Sequence, residues 1–225
     1  MYTKAIKTFF LEINLSSCKN KMKKLILGIT LSLSLFGCAM QKATINSYVE
    51  PTYNAGSIKT VAVFPLRNAS MAPAEANSIN TEIVKALSQK SPTTLILSPA
   101  ESQRRINDAG VVTQWSRFIE DFSTAGLINK AYLSDIANAL KADAVMQGFI
   151  SQIYQKDGMQ FGDGIGVTRV SIRYAIIDLR NAKIIWEAHS TGRSQTGSFG
   201  FHVAPEVSEA LEPTIEKLTE NIPSL

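Results

Sequence analysis

Residues 22 to 38 decide how much of this 225-residue chain is left to fold. Met22-Lys23-Lys24 supplies a positive start, Leu25 to Phe36 an apolar run, and Gly37 a small residue just before Cys38. That order is the grammar of a cleaved export signal, and the run is well short of the ~20 apolar residues of a membrane-spanning helix. Residues 1–21, with Phe9-Phe10-Leu11 interrupted by Glu12 and with Cys18, Lys19 and Lys21, read as sequence upstream of a true start at Met22; the alternative is an unusually long positive region. Either way residues 1–37 are a signal segment that takes no part in the fold. The 188 residues from Cys38 onward suffice for one domain with a sizeable core.

Removing the signal also changes the charge. Residues 1–37 hold six of the 23 basic and one of the 19 acidic residues, leaving 17 and 18, a net charge of about −1. The basicity of the full chain therefore belongs to the signal and gives no support for nucleic acid as a partner. Only Cys38 of the two cysteines remains.

Leu35-Phe36-Gly37-Cys38 resembles the lipobox of bacterial lipoproteins. The resemblance implies cleavage before Cys38, diacylation of its thiol and acylation, for example with palmitate, of the new amine. Several acyl chains make such an attachment effectively permanent, because one chain alone binds only marginally. Ala39 follows the cysteine, which by the same resemblance favours the outer membrane, on its periplasmic side. With its thiol lipidated, Cys38 leaves nothing to form a disulfide.

Residues 38–57 read as the lipidated cysteine and a polar tether with Pro51, Asn54 and Gly56 and no sustained period. The domain spans 58–225. Val61-Ala62-Val63-Phe64 before Pro65 predicts a strand buried on both faces. Ala76, Ile79, Ile83 and Leu87 recur at helical spacing after Pro73, and Thr93 to Leu97 reads as a short strand. Ser98-Pro99-Ala100-Glu101 has the form of a capping box opening a helix that ends near Gly110. Trp115, Phe118, Ile119 and Phe122 make an aromatic helical stripe stopped by Gly126, and Leu133, Ile136, Ala137 and Leu140 make a third. Strands follow over 142–154, 170–176 and 184–189, the middle one alternating as if one face were dry and one wet. A last helix runs from about Pro205 to Ile222, with Pro213 predicted to kink or break it. The sum is an α/β (α+β sandwich) fold: a mixed sheet of about five strands, ending in a three-strand meander, covered by helices.

Three segments in this order carry a family resemblance: Val61-Ala62-Val63-Phe64-Pro65-Leu66-Arg67-Asn68, Ala142-Asp143-Ala144-Val145-Met146-Gln147-Gly148, and Ile177-Asp178-Leu179-Arg180-Asn181-Ala182-Lys183-Ile184-Ile185-Trp186. Together they resemble the curli-secretion lipoprotein (CsgG-like) family, whose relatives include the PelC and LpoB lipoproteins. The family pattern is a first strand ending in Pro and Asn, an Ala-Asp-Ala strand entry, and a hairpin closing on Trp. Ala182 stands where that hairpin usually has glycine. The loops are too short for two additional transmembrane hairpins, so the resemblance does not extend to a β-barrel pore.

Candidate contact residues are Trp115, Phe118 and Phe122 on the aromatic stripe, and Phe199 and Phe201 in a glycine-rich loop. Aromatics are enriched at protein and membrane interfaces, and packing on the sheet is the plainer reading for each. Arg169 and Arg173 share the predicted wet face and suit an acidic partner or polysaccharide, or simply a solvated face. Gly162-Asp163-Gly164-Ile165-Gly166 lies between strands and lacks a following Lys-Ser/Thr, which reads as a hairpin loop and not a phosphate cradle. His189 and His202 lack metal-ligand spacing, and adjacent Glu120 and Asp121 point about 100° apart on a helix. No catalytic residue, metal or cofactor is assigned.

The expectation is thus a non-enzymatic lipoprotein serving as an assembly or scaffold component of a secretion or envelope complex. Its partners would be the membrane through the lipid anchor, envelope or secretion proteins, and, by the resemblance, further copies of itself. The alternative is a monomeric activator of a peptidoglycan synthase, against which the short tether counts.

Overall fold

The computed structural model describes residues 41–67, 71–158, 164–196 and 203–225. Among them six strands form one mixed sheet: β1 (Lys42–Val49), β2 (Thr60–Val63), β3 (Leu95–Leu97), β4 (Ala144–Lys156), β5 (Val167–Asp178) and β6 (Lys183–Gln195). Five helices cover it: α1 (Pro73–Lys90), α2 (Pro99–Asp108), α3 (Val112–Ala125), α4 (Lys130–Leu140) and α5 (Val207–Asn221). The strand order is β1-β6-β5-β4-β2-β3. β4, β5 and β6 form the expected antiparallel meander, and β2 is parallel to both β3 and β4.

One expectation is overturned at the start of the chain. Residues 42–49, read as tether, form β1, which pairs antiparallel with β6 from Lys42↔Arg193 to Val49↔Trp186. Only Ala43 and Ile45 of its core-side residues are half-buried, so the alternation that marks an amphipathic strand is weak. The pairing comes from the long partner β6 and not from local pattern.

The sheet is buried on both faces where helices cover it. Val61, Val63, Met146, Ile172, Tyr174, Ile176 and Trp186 pack with α1 and α5 in one core. Ala62, Phe64, Val145, Ala175 and Ile177 pack with α2, α3 and α4 in the other. β5 therefore has no continuous wet face. Helices reach over the alternate residues Ala175 and Ile177, and only the early part of the strand, at Arg169, is exposed.

Local devices explain the boundaries. Ser98 Oγ accepts from Glu101 N at 3.3 Å and caps α2. The Glu101 carboxylate turns to Arg104 and Arg105, giving half of the predicted capping box. Gly126 ends α3 at φ +67°, a left-handed position that glycine adopts without strain. α5 runs through Pro213 without interruption. Asp143 accepts from the backbone N–H groups of Lys59 and Thr60 at 2.8 and 3.0 Å, tying the entry of β4 to that of β2. Asp178 holds the β5–β6 turn by accepting from Arg180 N and Asn181 N at 2.8 and 3.2 Å. Ala182 then takes the left-handed conformation, φ +55°, that glycine would adopt more cheaply.

Candidate functional site

The site is built from the way the chain enters the sheet. Three residues, Ala39 to Gln41, separate Cys38 from the first strand. Four steps of extended backbone reach about 14 Å at most. Whatever holds Cys38 therefore lies close to the corner of the sheet where β1 begins.

That corner carries an uncompensated row of cations. Lys42 of β1 is directly opposite Arg193 of β6, Arg193 is opposite Arg169 of β5, and Arg169 is opposite Tyr154 of β4. Direct register puts all four side chains on one face of the sheet, spread over about 15 Å at a strand spacing near 4.8 Å. All four are exposed, Tyr154 at 41%. Among the described residues, no ion pair joins Lys42, Arg169 or Arg193 to a carboxylate. The next row on the same face is Thr44, Thr191, Ser171 and Gln152, neutral and hydroxyl-rich, with Ser171 Oγ 2.9 Å from Thr191 Oγ1. Beyond it Glu187 is taken by Arg173, whose guanidinium carbon also lies 4.7 Å from the Phe122 ring centroid. The two arginines paired in the sequence reading thus separate: Arg173 is an internal ion-pair member, and Arg169 belongs to the exposed row.

A second feature is a groove of about 690 Å³ between the end of β2 and α3. Its floor is Trp115 stacked on Phe64 at 3.6 Å between centroids, and its rim includes Arg67, Gln103, Glu120 and Thr124. Gln147 beneath it is fixed by donating to the Pro65 and Gly148 carbonyls at 3.0 and 2.6 Å. Here the aromatic stripe divides. Phe118 and Phe122 are fully buried inside the chain, so they present no surface to a partner and are withdrawn as contact candidates. Trp115 is half-buried and keeps one side on the groove. Phe199, Phe201, His202 and Cys38 lie outside the described residues. His189 is exposed opposite Arg173, and among the described residues no ion pair joins it to a carboxylate.

Among the described residues no group of three or more His, Cys, Asp or Glu side chains is placed to hold a metal ion. No helix among them is long and apolar enough to cross a membrane. Sequence reasoning found Arg169 but missed Lys42, Arg193 and Tyr154, because the row exists only through pairing of four strands. The alternation of Lys42, Thr44, Asn46 and Tyr48 was the one local signal available for β1.

No protein-family model matches the chain, and no curated protein matches it. Solved structures do. A PelC dodecamer from Paraburkholderia phytofirmans is 17% identical, with 82% of this chain and 100% of that one covered and a TM-score of 0.45. Lipoprotein GNA1162 from Neisseria meningitidis is 16% identical over 72% and 99%, with a TM-score of 0.37. The LpoB C-terminal domain from Escherichia coli is 14% identical over 63% and 86%, with a TM-score of 0.37. PelC and LpoB are thus among its structural neighbours, and the CsgG-like family remains a resemblance.

Proposed function

We propose that this chain is a periplasmic lipoprotein of the outer membrane that works without catalysis, as a scaffold component of an envelope or secretion assembly. The observation that carries the reading is the spacing of the lipobox Cys38 from Lys42: the folded sheet starts almost at the anchor and is held at the membrane surface. So short a leash suits lateral assembly along the membrane better than reaching across the periplasm, and it weighs against the synthase-activator reading.

Lateral contacts have a physical basis in β1, which among the described residues is an open sheet edge of eight residues. Glu50 N donates to the Ile185 carbonyl at 2.8 Å, so alternation turns the amides of Ser47 and Val49 outward, free to pair with another strand. Val49 and Tyr48 are each 47% exposed on this edge.

The test is the native mass of the lipidated protein, extracted from outer membranes in mild detergent. A discrete oligomer is expected. Ser47→Pro removes an outward amide without breaking a β6 bond, so it should yield monomers with an almost unchanged melting temperature. A wild-type monomer at native concentration would overturn the assembly reading, and an N-terminal peptide without acyl groups would overturn the anchor.

A further inference from the structure

We propose that the row of Lys42, Arg193 and Arg169, ending in Tyr154, docks on anionic phospholipid headgroups of the membrane that carries the Cys38 anchor. The inference rests on the anchored reading above and adds an orientation to it: the exposed face of the β1-β6-β5-β4 ribbon is the side turned to the membrane.

Three observations meet here. The first is cost within the fold. Like charges placed directly opposite on neighbouring strands repel, and Arg193 has a cation on each side. Arg173, four residues along β5 from Arg169, is neutralised by Glu187, so the sheet has a local means of pairing an arginine that the exposed row does not use. The second is reach. Lys42 is both the first residue of β1 and the first member of the row, so the anchor brings the row to the headgroup layer, with Lys42 itself within about 14 Å of Cys38. The third is chemistry. Two guanidinium groups can each fork onto phosphate oxygens, the ammonium adds a point charge, and a tyrosine at the end of the row matches the enrichment of aromatic rings at membrane interfaces. The neighbouring Thr44, Thr191 and Gln152 supply hydrogen-bonding groups and no opposing carboxylate.

Polybasic surfaces gain about five-fold in membrane occupancy per cation near an anionic surface, so three cations shift the ratio of docked to undocked domain by on the order of a hundred-fold. For a domain already tethered, this gain sets orientation and not attachment.

The experiment uses the mature lipoprotein with Thr44→Cys labelled by an environment-sensitive fluorophore. Thr44 is exposed one row from the cations, and the acylated thiol of Cys38 is not available to the dye. The labelled protein is placed in nanodiscs of phosphatidylcholine with or without phosphatidylglycerol. A blue shift is expected with phosphatidylglycerol, reversed by raised salt as screening shortens the Debye length. It should be lost in Lys42→Gln/Arg169→Gln/Arg193→Gln, a variant whose melting temperature should stay level or rise because repulsion is removed.

Equal spectra in the two lipids, or a triple variant that behaves as the parent, would overturn the proposal. A shift produced only by an added soluble anionic polysaccharide such as polygalacturonate would overturn it in favour of a polymer site. The mass of the N-terminal peptide separates the two readings: acyl groups present without lipid dependence sinks the docking inference alone, whereas acyl groups absent sinks both.

Discussion

Gly192 tests how the sheet holds α5. It lies on β6 under the helix, and a β-carbon there would sit 2.0 Å from the Ala210 carbonyl oxygen and 2.0 Å from Thr214 Oγ1. Ordinary carbon–oxygen contacts are more than 1 Å longer, so Gly192→Ala must push the helix outward. The residues that α5 buries against the sheet are Ala210, Leu211, Thr214, Ile215 and Leu218. A radial gap of 0.5–1 Å forfeits about a quarter to a half of each dispersion contact, and burial of each large apolar side chain is worth about 2 kcal/mol. The expected loss is about 3 kcal/mol, at the upper end of ordinary overpacking. For a domain of this size that lowers Tm by about 6–12 °C, measurable by circular dichroism or calorimetry. Because one of the two clashes is with backbone, adding Thr214→Ala should recover only part of the loss. A single variant melting within about 2 °C of the parent, or full recovery in the double variant, would refute the argument that α5 and β6 meet backbone to backbone at this point.

Two further predictions concern polar groups. The Tyr174 hydroxyl is fully buried with no hydrogen-bond partner among the described residues, and burial pushes its ionisation well above the usual phenol range. Tyr174→Phe should therefore raise stability by about 1 kcal/mol in a denaturant titration, and a fall of that size would show that the hydroxyl has a partner. Hydrogen bonds from Arg104 and then Arg105 hold the Glu101 carboxyl at about 2, below its ordinary 4.5. A depressed carboxyl contributes stability above its unfolded value and loses it as pH falls toward 2, so the Tm difference between parent and Glu101→Gln should shrink across that window. A difference independent of pH would remove the ion pairs from the account.

Much of the fold was legible because local chemistry and tertiary placement agree. Ile79, Ile83 and Leu87 mark α1 by spacing, and Ser98 marks the start of α2 by its side chain. Val61-Ala62-Val63 reads as a strand buried on both faces because it is one, lying between β3 and β4. The misreading of β5 has a definite cause. Ser171 and Ala175 alternate with apolar residues as surface positions do, yet both are small and both are buried, Ala175 in the core beneath α2 to α4 and Ser171 beside Thr191 of the neighbouring strand. Size, not polarity, decided their place. Phe118 and Phe122 show the converse limit: a stripe of aromatic residues specifies that a helix packs, and only the presence of Phe64, Ala175 and Ile177 on the facing sheet shows that the partner is internal.

The β1 strand bears most on function because its recognition changes the meaning of charge. The segment from Cys38 onward, with 17 basic and 18 acidic residues, offers no reason by composition to look for an anionic partner. Composition averages over faces, and Lys42 is separated in sequence from the other two cations of the row by more than a hundred residues. It joins Arg193 and Arg169, already neighbours across β5 and β6, only when the segment treated as a polar leash is hydrogen-bonded into the sheet edge. The same pairing shortens the stretch between Cys38 and the sheet from about twenty residues to three, which on the proposed anchored reading would hold the domain close to its membrane. The short leash, the sheet edge and the completed row of cations are then consequences of one event, the addition of an eight-residue strand to β6. A change that released β1 while leaving Cys38 acylated should therefore remove edge pairing and headgroup docking together, whereas neutralising the cations should remove docking alone.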